Sequence, residues 1–284
     1  MSREPRVDLH AHTTASDGAL QPAELVGLAR QVGLAVLGVT DHDTTDGLPA
    51  ALAAAGQGLE VVPGVELSTD VPVGEVHVLG YFLDYQDASF QGQLAELREA
   101  RVERAQAMVE RLAELRAPVS WERVLALAGG AVGRPHIAQA LVEAGHVASV
   151  PQAFDLYLGR GKPAYVEREK LTPAEAVRML RQVGGVAVVA HPYILDTAGR
   201  VKVRLDLPAL LPQLCAAGLQ GLEVYYTNYT RDVITELRIV AERFGLVATG
   251  GSDFHGGGTV PEAQLGAVAV PYACVERLRR LAGR

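Results

Sequence analysis

Imidazoles and carboxylates recur in this 284-residue chain at the places where apolar runs end. His10 and His12 stand two apart in Val-Asp-Leu-His-Ala-His. In an extended segment side chains alternate, so both rings face one way and can reach one point. Asp253 and His255 repeat that spacing in Gly-Ser-Asp-Phe-His. His42 follows Asp41 where Val-Leu-Gly-Val-Thr ends, Glu66 closes Val-Pro-Gly-Val, and His77 lies within Glu-Val-His-Val-Leu-Gly. His191 ends Val-Ala-Val-Val-Ala, and Asp17 sits in a Ser-Asp-Gly turn. Imidazole plus carboxylate without thiolate suits borderline divalent ions such as manganese, iron or zinc. These nine donors exceed the roughly four to six positions of one ion, so they imply two or three ions. Three divalent ions beside three carboxylates leave a pocket of about +3, which draws in phosphate although the chain's net charge is −7. Ions so placed lower the pKa of water and clamp attacking and leaving oxygens.

Such convergence needs elements that carry the donors to one place. Short apolar runs predict strands at Val7–His12, Val36–Asp41, Glu60–Leu67, Glu75–Phe82, Gly185–His191, Leu219–Tyr226 and Leu246–Asp253, with a further one at Leu265–Val270. Between them Pro22–Gln31, Pro173–Gln182 and Asp232–Phe244 carry apolar residues at helical spacing after a Pro or polar start. Strand-then-helix alternation predicts parallel strands in an α/β barrel or layered sheet, with chemistry at their C-terminal ends. From Asp84 to Pro163 the alternation stops. Leu94, Leu97, Ala105, Met108, Leu112 and Leu115 predict one long amphipathic helix, followed by helices at Glu122–Ala128, His136–Ala144 and Gln152–Leu158. An all-helical insertion over residues 85–163, acting as a lid, would divide a barrel made of 1–84 and 164–284.

Composition narrows the classes. The chain is 49% hydrophobic and 21% charged, which excludes disordered, collagen-like and coiled-coil types. No run approaches the roughly 20 apolar residues that span a bilayer, and the first ten residues carry no signal-type apolar core, so no membrane association is expected. Two cysteines, Cys215 and Cys274, are too few for a disulfide framework, and a reducing cytoplasm is the expected setting. An acidic chain argues against a large duplex nucleic-acid footprint.

The segments DLHAHTTASDG, VTDHDT, GVELS, EVHVLGY, AHP and GSDFHG resemble the polymerase-and-histidinol-phosphatase (PHP) superfamily. Together with GRPHIA and GKPAYV in the insertion, they are most similar to its branch of nucleoside 3′,5′-bisphosphate phosphatases and 5′-3′ exoribonucleases. That resemblance covers nearly the whole chain. It implies a distorted (β/α)7 barrel and a site of three divalent ions, usually manganese, with iron or zinc as alternatives. It assigns His10, His12, Glu66 and Asp253 to the first ion, and Glu66, His77 and His191 to the second, with Glu66 bridging. Asp17, His42 and His255 go to the third. The implied nucleophile is a metal-bridging hydroxide held by Glu66 with Asp17, His42 and His255. The implied substrates are nucleoside 3′,5′-bisphosphates, cleaved to a 5′-mononucleotide and phosphate, or the 5′ end of short RNA.

Outside this set, Arg134 precedes Pro135 at a helix start, a setting suited to clamping an oxyanion, and the resemblance of GRPHIA makes it a substrate-phosphate ligand. His136 beside it and Lys162 in Gly-Arg-Gly-Lys-Pro are further candidates for substrate binding. Asp41 is expected to orient a ligand imidazole from behind. Tyr225, Tyr226, Asn228 and Tyr229 read as core or rim packing, with base stacking as the alternative. Gly256–Gly258 reads as a mobile loop beside the metals. Two other functions stand against the leading one. Histidinol-phosphate hydrolysis uses the same metal set but needs no second anion site. A non-catalytic partner-binding domain of the same fold would lack ligands, and here none is missing.

Overall fold

The computed structural model describes residues 4–71, 74–128, 132–167, 171–195, 201–256 and 264–284. It divides into two compact units, Met1–Gln91 with Lys170–Arg284, and Gly92–Glu169.

The first unit is a mixed α/β barrel. Its seven-stranded sheet runs in the order β1 (Arg6–Asp8), β2 (Leu34–Val39), β3 (Glu60–Val71), β4 (Gly74–Tyr81), β5 (Val186–Val189), then β8 (Gly221–Tyr226) and β9 (Val247–Gly251). A separate hairpin pairs β6 (Tyr193–Leu195) with β7 (Val201–Arg204). Around the sheet lie α1 (Pro22–Gln31) and α2 (Leu48–Ala54) from the first stretch of chain. The second stretch adds Pro173–Gln182, Leu207–Ala217, Arg231–Arg243 and Ala273–Leu281. Three of these helices fall where the sequence places them, at Pro22–Gln31, Pro173–Gln182 and Arg231–Arg243. Pro22 and Pro173 occupy first turns, where their missing N–H costs nothing. Thr172 Oγ1 accepts from Glu175 N at 3.3 Å while the Glu175 carboxylate accepts from Thr172 N at 2.8 Å. Val7, Leu9, Val36, Val62, Leu79, Val186, Val188 and Val247 pack in one buried cluster, which explains the β-branched runs.

Not every strand is parallel. β4 runs against both β3 and β5, in registers Gly64↔Tyr81 and Val78↔Val189. β3 ends at Val71 and β4 begins at Gly74, a connection far too short for the crossover that parallel pairing requires. The predicted strand at Leu265–Val270 does not form. Gly266 N donates to Asp8 Oδ2 at 2.7 Å and Gly266 O accepts from Arg6 at 2.7 Å, so side chains take the groups a ladder would use.

The sheet closes between its first and last strands. Leu9 N donates to Gly250 O at 3.2 Å, Asp253 N to His10 O at 2.9 Å and His12 N to Phe254 O at 2.8 Å. β2 also runs close beside the chain that follows β1, which demands glycine: a Cβ on Gly38 would lie 2.3 Å from the Leu9 carbonyl oxygen.

The second unit is helical, with α3 (Ala88–Glu114) entering it, then α4 (Trp121–Ala128), α5 (Arg134–Glu143), α6 (Val150–Ala153) and a π-helical turn at Phe154–Leu158. It has its own core, including Met108, Leu112, Val124, Ile137, Leu141 and Leu158. The long helix stops at Glu114, before Leu115, because Arg116 turns left-handed at φ 60°, and Leu115 is exposed. The first turn of α3 belongs to the barrel unit, where Gln91 Nε2 donates to Thr45 Oγ1 at 2.7 Å. No described helix is long and apolar enough to cross a membrane.

Asp8 is the fully buried tie of this closure, accepting from the backbone N–H groups of His10 (3.3 Å), Ser252 (2.9 Å) and Gly266 (2.7 Å). Asp8→Ala strands three buried donors, and the expected loss is roughly 3 kcal/mol or more of unfolding free energy, read from the urea midpoint. A midpoint within error of the parent would contradict this role.

Candidate metal centre

Four strand ends deliver donors to one basin. His10 and His12 follow β1, His42 follows β2, His191 follows β5, and Asp253 and His255 follow β9. Glu66 lies within β3, bridged to His42. On β4, which runs the other way, His77 falls in the first half of the strand.

Glu66 is at the centre and has no solvent exposure. Its Oε1 lies 2.8 Å from His77 Nδ1 and 2.9 Å from His191 Nε2. Its Oε2 lies 3.1 Å from His10 Nε2, 3.2 Å from His12 Nε2 and 3.2 Å from His42 Nδ1. Asp253 Oδ1 is 3.1 Å from His12 Nε2 and 3.3 Å from His10 Nε2. Asp17 reaches His255 at 3.3 Å, and His12 and His42 at 3.7 Å. All nine predicted donors are therefore neighbours.

Among the described residues, three groups have donor atoms close enough together to hold an ion: His10, His12, Glu66 and Asp253; His12, Asp17, His42 and His255; and His42, Glu66 and His77. The first follows the grouping expected from the sequence, and the second adds His12. The third joins His42 to Glu66 and His77, while His191 approaches the same Glu66 oxygen from the side of β5. The donor chemistry fits divalent ions. His12 Nδ1 and Nε2, His42 Nδ1 and Asp253 Oδ1 are buried without a hydrogen bond, although carboxylate and imidazole atoms surround them. Atoms that converge but do not pair are what a shared cation resolves.

Electrostatics agree. Burial works against the Glu66 charge, yet the His42, His10 and His77 rings overcome it and hold this carboxyl well below its usual range. Asp253 and Asp17 are likewise held well below theirs, against burial, by His10 and His255 and by His42 and His255 respectively. The rings are pushed in opposite directions. Burial opposes a charge on His12, but Asp253 and Glu66 raise it to about 10, whereas burial takes His42 down to about 3 against Glu66 and Asp17. Ring centroids at 4.1 Å (His12–His255) and 4.5 Å (His12–His42) leave little room for adjacent protonated imidazoles.

One contributor, Glu223, was not singled out in the sequence, and another, Tyr226, was expected to serve packing or base stacking. Glu223 on β8 is fully buried, with Oε1 at 3.0 Å from His10 Nδ1 and Oε2 accepting from His191 N at 2.7 Å. Tyr226 Oη donates to Asp253 Oδ2 at 2.7 Å and its ring lies 5.4 Å from that of His191. The available signal was an acid inside the apolar run Gly-Leu-Glu-Val-Tyr-Tyr. Tyr229 does pack, exchanging hydrogen bonds with the Tyr193 backbone at 2.7 and 2.9 Å. Asp41 does not orient an imidazole. Its carboxylate accepts from Thr13 N (2.7 Å), Thr13 Oγ1 (2.8 Å) and Ser16 Oγ (2.7 Å), because the turn carrying Asp17 folds directly over it.

Arg134, His136 and Lys162 belong to the second unit. Arg134 opens α5, its guanidinium 5.6 Å from the Phe154 ring centre and 6.0 Å from that of Tyr165. His136 Nδ1 accepts from Gly133 N at 3.1 Å, capping the same helix. Lys162 is exposed in a turn closed by its N–H donating to Gly159 O at 3.0 Å. Residues 257 and 258 of the expected glycine loop lie outside the described residues.

A seven-stranded barrel that gathers imidazoles and carboxylates about one buried glutamate defines a class of metal-binding barrel. Residues 8–158 match the PHP domain. The chain is 38% identical over 252 residues to the 5′-3′ exoribonuclease Rnm of Salmonella typhimurium, covering 87% of this chain and 84% of that one. It is 36% identical over 255 residues to the 3′,5′-nucleoside bisphosphate phosphatase of Chromobacterium violaceum, covering 89% and 88%. A solved structure from Bifidobacterium adolescentis, named for metal-dependent phosphoesterase activity, superposes with a TM-score of 0.84 at 32% identity over 99% of this chain and 100% of that one. The chain belongs to the PHP family.

Gly251 supports the basin from behind: a Cβ there would lie 2.4 Å from both His10 N and His10 Cβ. Gly251→Ala is expected to displace His10 and lower bound divalent metal per chain by at least half in elemental analysis, with helical circular dichroism retained. Full metal content in that variant would show that the His10 position is not critical.

Proposed function

We propose that this protein is a metal-dependent hydrolase of phosphoester bonds. Its substrates are nucleoside 3′,5′-bisphosphates, from which it releases the 3′-phosphate to leave a 5′-mononucleotide. The same site acts in the 5′-3′ direction on short RNA, because each 5′ end presents a 5′-phosphate beside a 3′-phosphoester. The observation that carries this reading is the set of overlapping donor groups around Glu66. Full-length similarity to an exoribonuclease and to a bisphosphate phosphatase supports the substrate class.

In this reading the basin takes three divalent ions, with manganese the first choice. His10, His12, Glu66 and Asp253 hold one. Glu66, His77 and His191, with His42 adjacent, hold the second. Asp17, His42 and His255, with His12 adjacent, hold the third. When bound, ions of this kind make water acidic enough to act as a nucleophile near neutral pH and offset charge on phosphate oxygens. The protein's own groups do the rest. Glu66 presents Oε1 to His77 and Oε2 to His10, so it would be available to neighbouring cations on either side of the basin. The turn from Thr13 to Asp17, pinned on Asp41, fixes the Asp17 carboxylate. Arg134, with Lys162 and His136, binds the substrate phosphate that is not cleaved. A guanidinium at a helix N-terminus suits this, because it combines bidentate donors with the helix dipole. The free cysteines and a nucleotide substrate fit a cytoplasmic setting.

Adenosine 3′,5′-bisphosphate is expected to be hydrolysed with a kcat/KM at least about 100-fold above that for histidinol phosphate, roughly the worth of one charge-assisted phosphate contact. Equal or reversed preference would remove the bisphosphate assignment. Failure of chelated protein to regain phosphatase activity with any of manganese, iron, cobalt or zinc would overturn the hydrolase reading. Arg134→Ala is expected to raise KM for the bisphosphate about tenfold or more while metal content stays constant. An unchanged KM would take Arg134 out of the substrate site.

A further inference from the structure

β8 supplies none of the nine donors, yet it touches three of the residues that do. Glu223 has two acceptor oxygens and uses both on donors: Oε1 faces His10 Nδ1 at 3.0 Å and Oε2 takes the His191 backbone N–H at 2.7 Å. With the Nδ1 proton directed at Glu223, the lone pair of His10 sits on Nε2, which faces Glu66 and Asp253. The His191 N–H bond anchors a residue whose φ of 20° lies outside ordinary strand geometry. Tyr226 Oη occupies Asp253 Oδ2, so Oδ1 is the oxygen left facing His10 and His12. Asp253 itself is held in the left-handed region at φ 56°.

Glu223 and Tyr226 are three residues apart, and strict alternation would point them to opposite faces. The strand solves this with an irregularity. Glu223 pairs with Thr249 and Tyr225 with the next residue, Gly250, so Val224 is an extra residue in β8. A bulge of this kind re-aims the side chains that follow it.

We propose that β8 is the positioning strand of the metal basin, its bulge at Val224 bringing Glu223 and Tyr226 to one side so that they orient His10, His191 and Asp253 without themselves ligating an ion. The inference rests on the metal-binding reading above. It predicts a selective effect, because the group of Asp17, His42 and His255 makes no contact with either β8 residue among those described.

Glu223→Gln is a sharp probe. An amide of the same shape can accept from only one of the two donors. Whichever way it turns, its NH2 faces either the His191 N–H or His10 Nδ1, and the second choice favours the ring tautomer with its proton on Nε2. Tyr226→Phe removes one hydroxyl and nothing else. The test is calorimetric titration of Mn2+ into the full chain, stripped with chelator, for the parent and both variants, beside thermal unfolding of the stripped proteins. The parent is expected to take up more than one class of Mn2+. Glu223→Gln should weaken part of that uptake by about 10- to 100-fold, and Tyr226→Phe by about tenfold, while at least one equivalent retains parental affinity. Isotherms for both variants that match the parent overturn the positioning role. So does a parallel loss of every class with a lowered unfolding temperature, which marks β8 as general scaffolding. A parent that takes up no Mn2+ overturns the metal reading itself, and this inference with it.

Discussion

A glutamate with no access to water is surrounded by five imidazoles, and the remaining structure can be understood as the means of tolerating it. An isolated buried carboxylate would cost several kcal/mol, and burying a ring of imidazoles beside it adds further desolvation. Glu66 is stable there because the two strands beside β3 supply His42 (β2) and His77 (β4), while His191 arrives from beyond β5 and His10 and His12 from beyond β1. The sheet's order is thus also the order in which positive or cation-binding groups reach one negative centre. Losing the donor that any of these four strands brings would leave part of that charge uncompensated, not merely a gap.

The donors were legible because they obey local rules. Two residues apart on an extended segment means one face, and His10 with His12 and Asp253 with His255 follow that rule. The contributors from β8 were illegible for the complementary reason. Glu223 and Tyr226 share a face only because Val224 interrupts the alternation, and no residue type in Gly-Leu-Glu-Val-Tyr-Tyr announces a bulge. The same limit hid the direction of β4. Apolar runs at Glu60–Leu67 and Glu75–Phe82 read equally well in either orientation, and the short link between them was the clue to antiparallel pairing. The Leu265–Val270 segment failed differently: its pattern suits a strand, but Asp8 and Arg6 capture the Gly266 backbone first. Asp41 shows that a residue beside a ligand can serve the backbone turn instead of the ring.

The helical unit illustrates what family membership adds and what it leaves to chemistry. Helix spacing alone identified its segments, and its own apolar core explains why they form a compact unit. The pairing of Arg134 with Phe154 and Tyr165, and of Arg104 with Tyr165 at 5.1 Å, gives that unit a cluster of guanidinium and aromatic faces that spacing does not reveal. Such stacking restricts the rotamers of these long side chains.

Closure of the sheet between β1 and β9 joins stretches of chain from opposite ends of the sequence, with His12 N bonded to Phe254 O and Asp253 N to His10 O. During synthesis, therefore, His10 and His12 must wait for residues about 240 positions further along the chain before their basin exists. Pairing so remote in sequence is entropically slow to form. A chain halted short of β9 therefore carries seven of the nine donors but lacks Asp253 and His255, and with them the closure that gathers the rest.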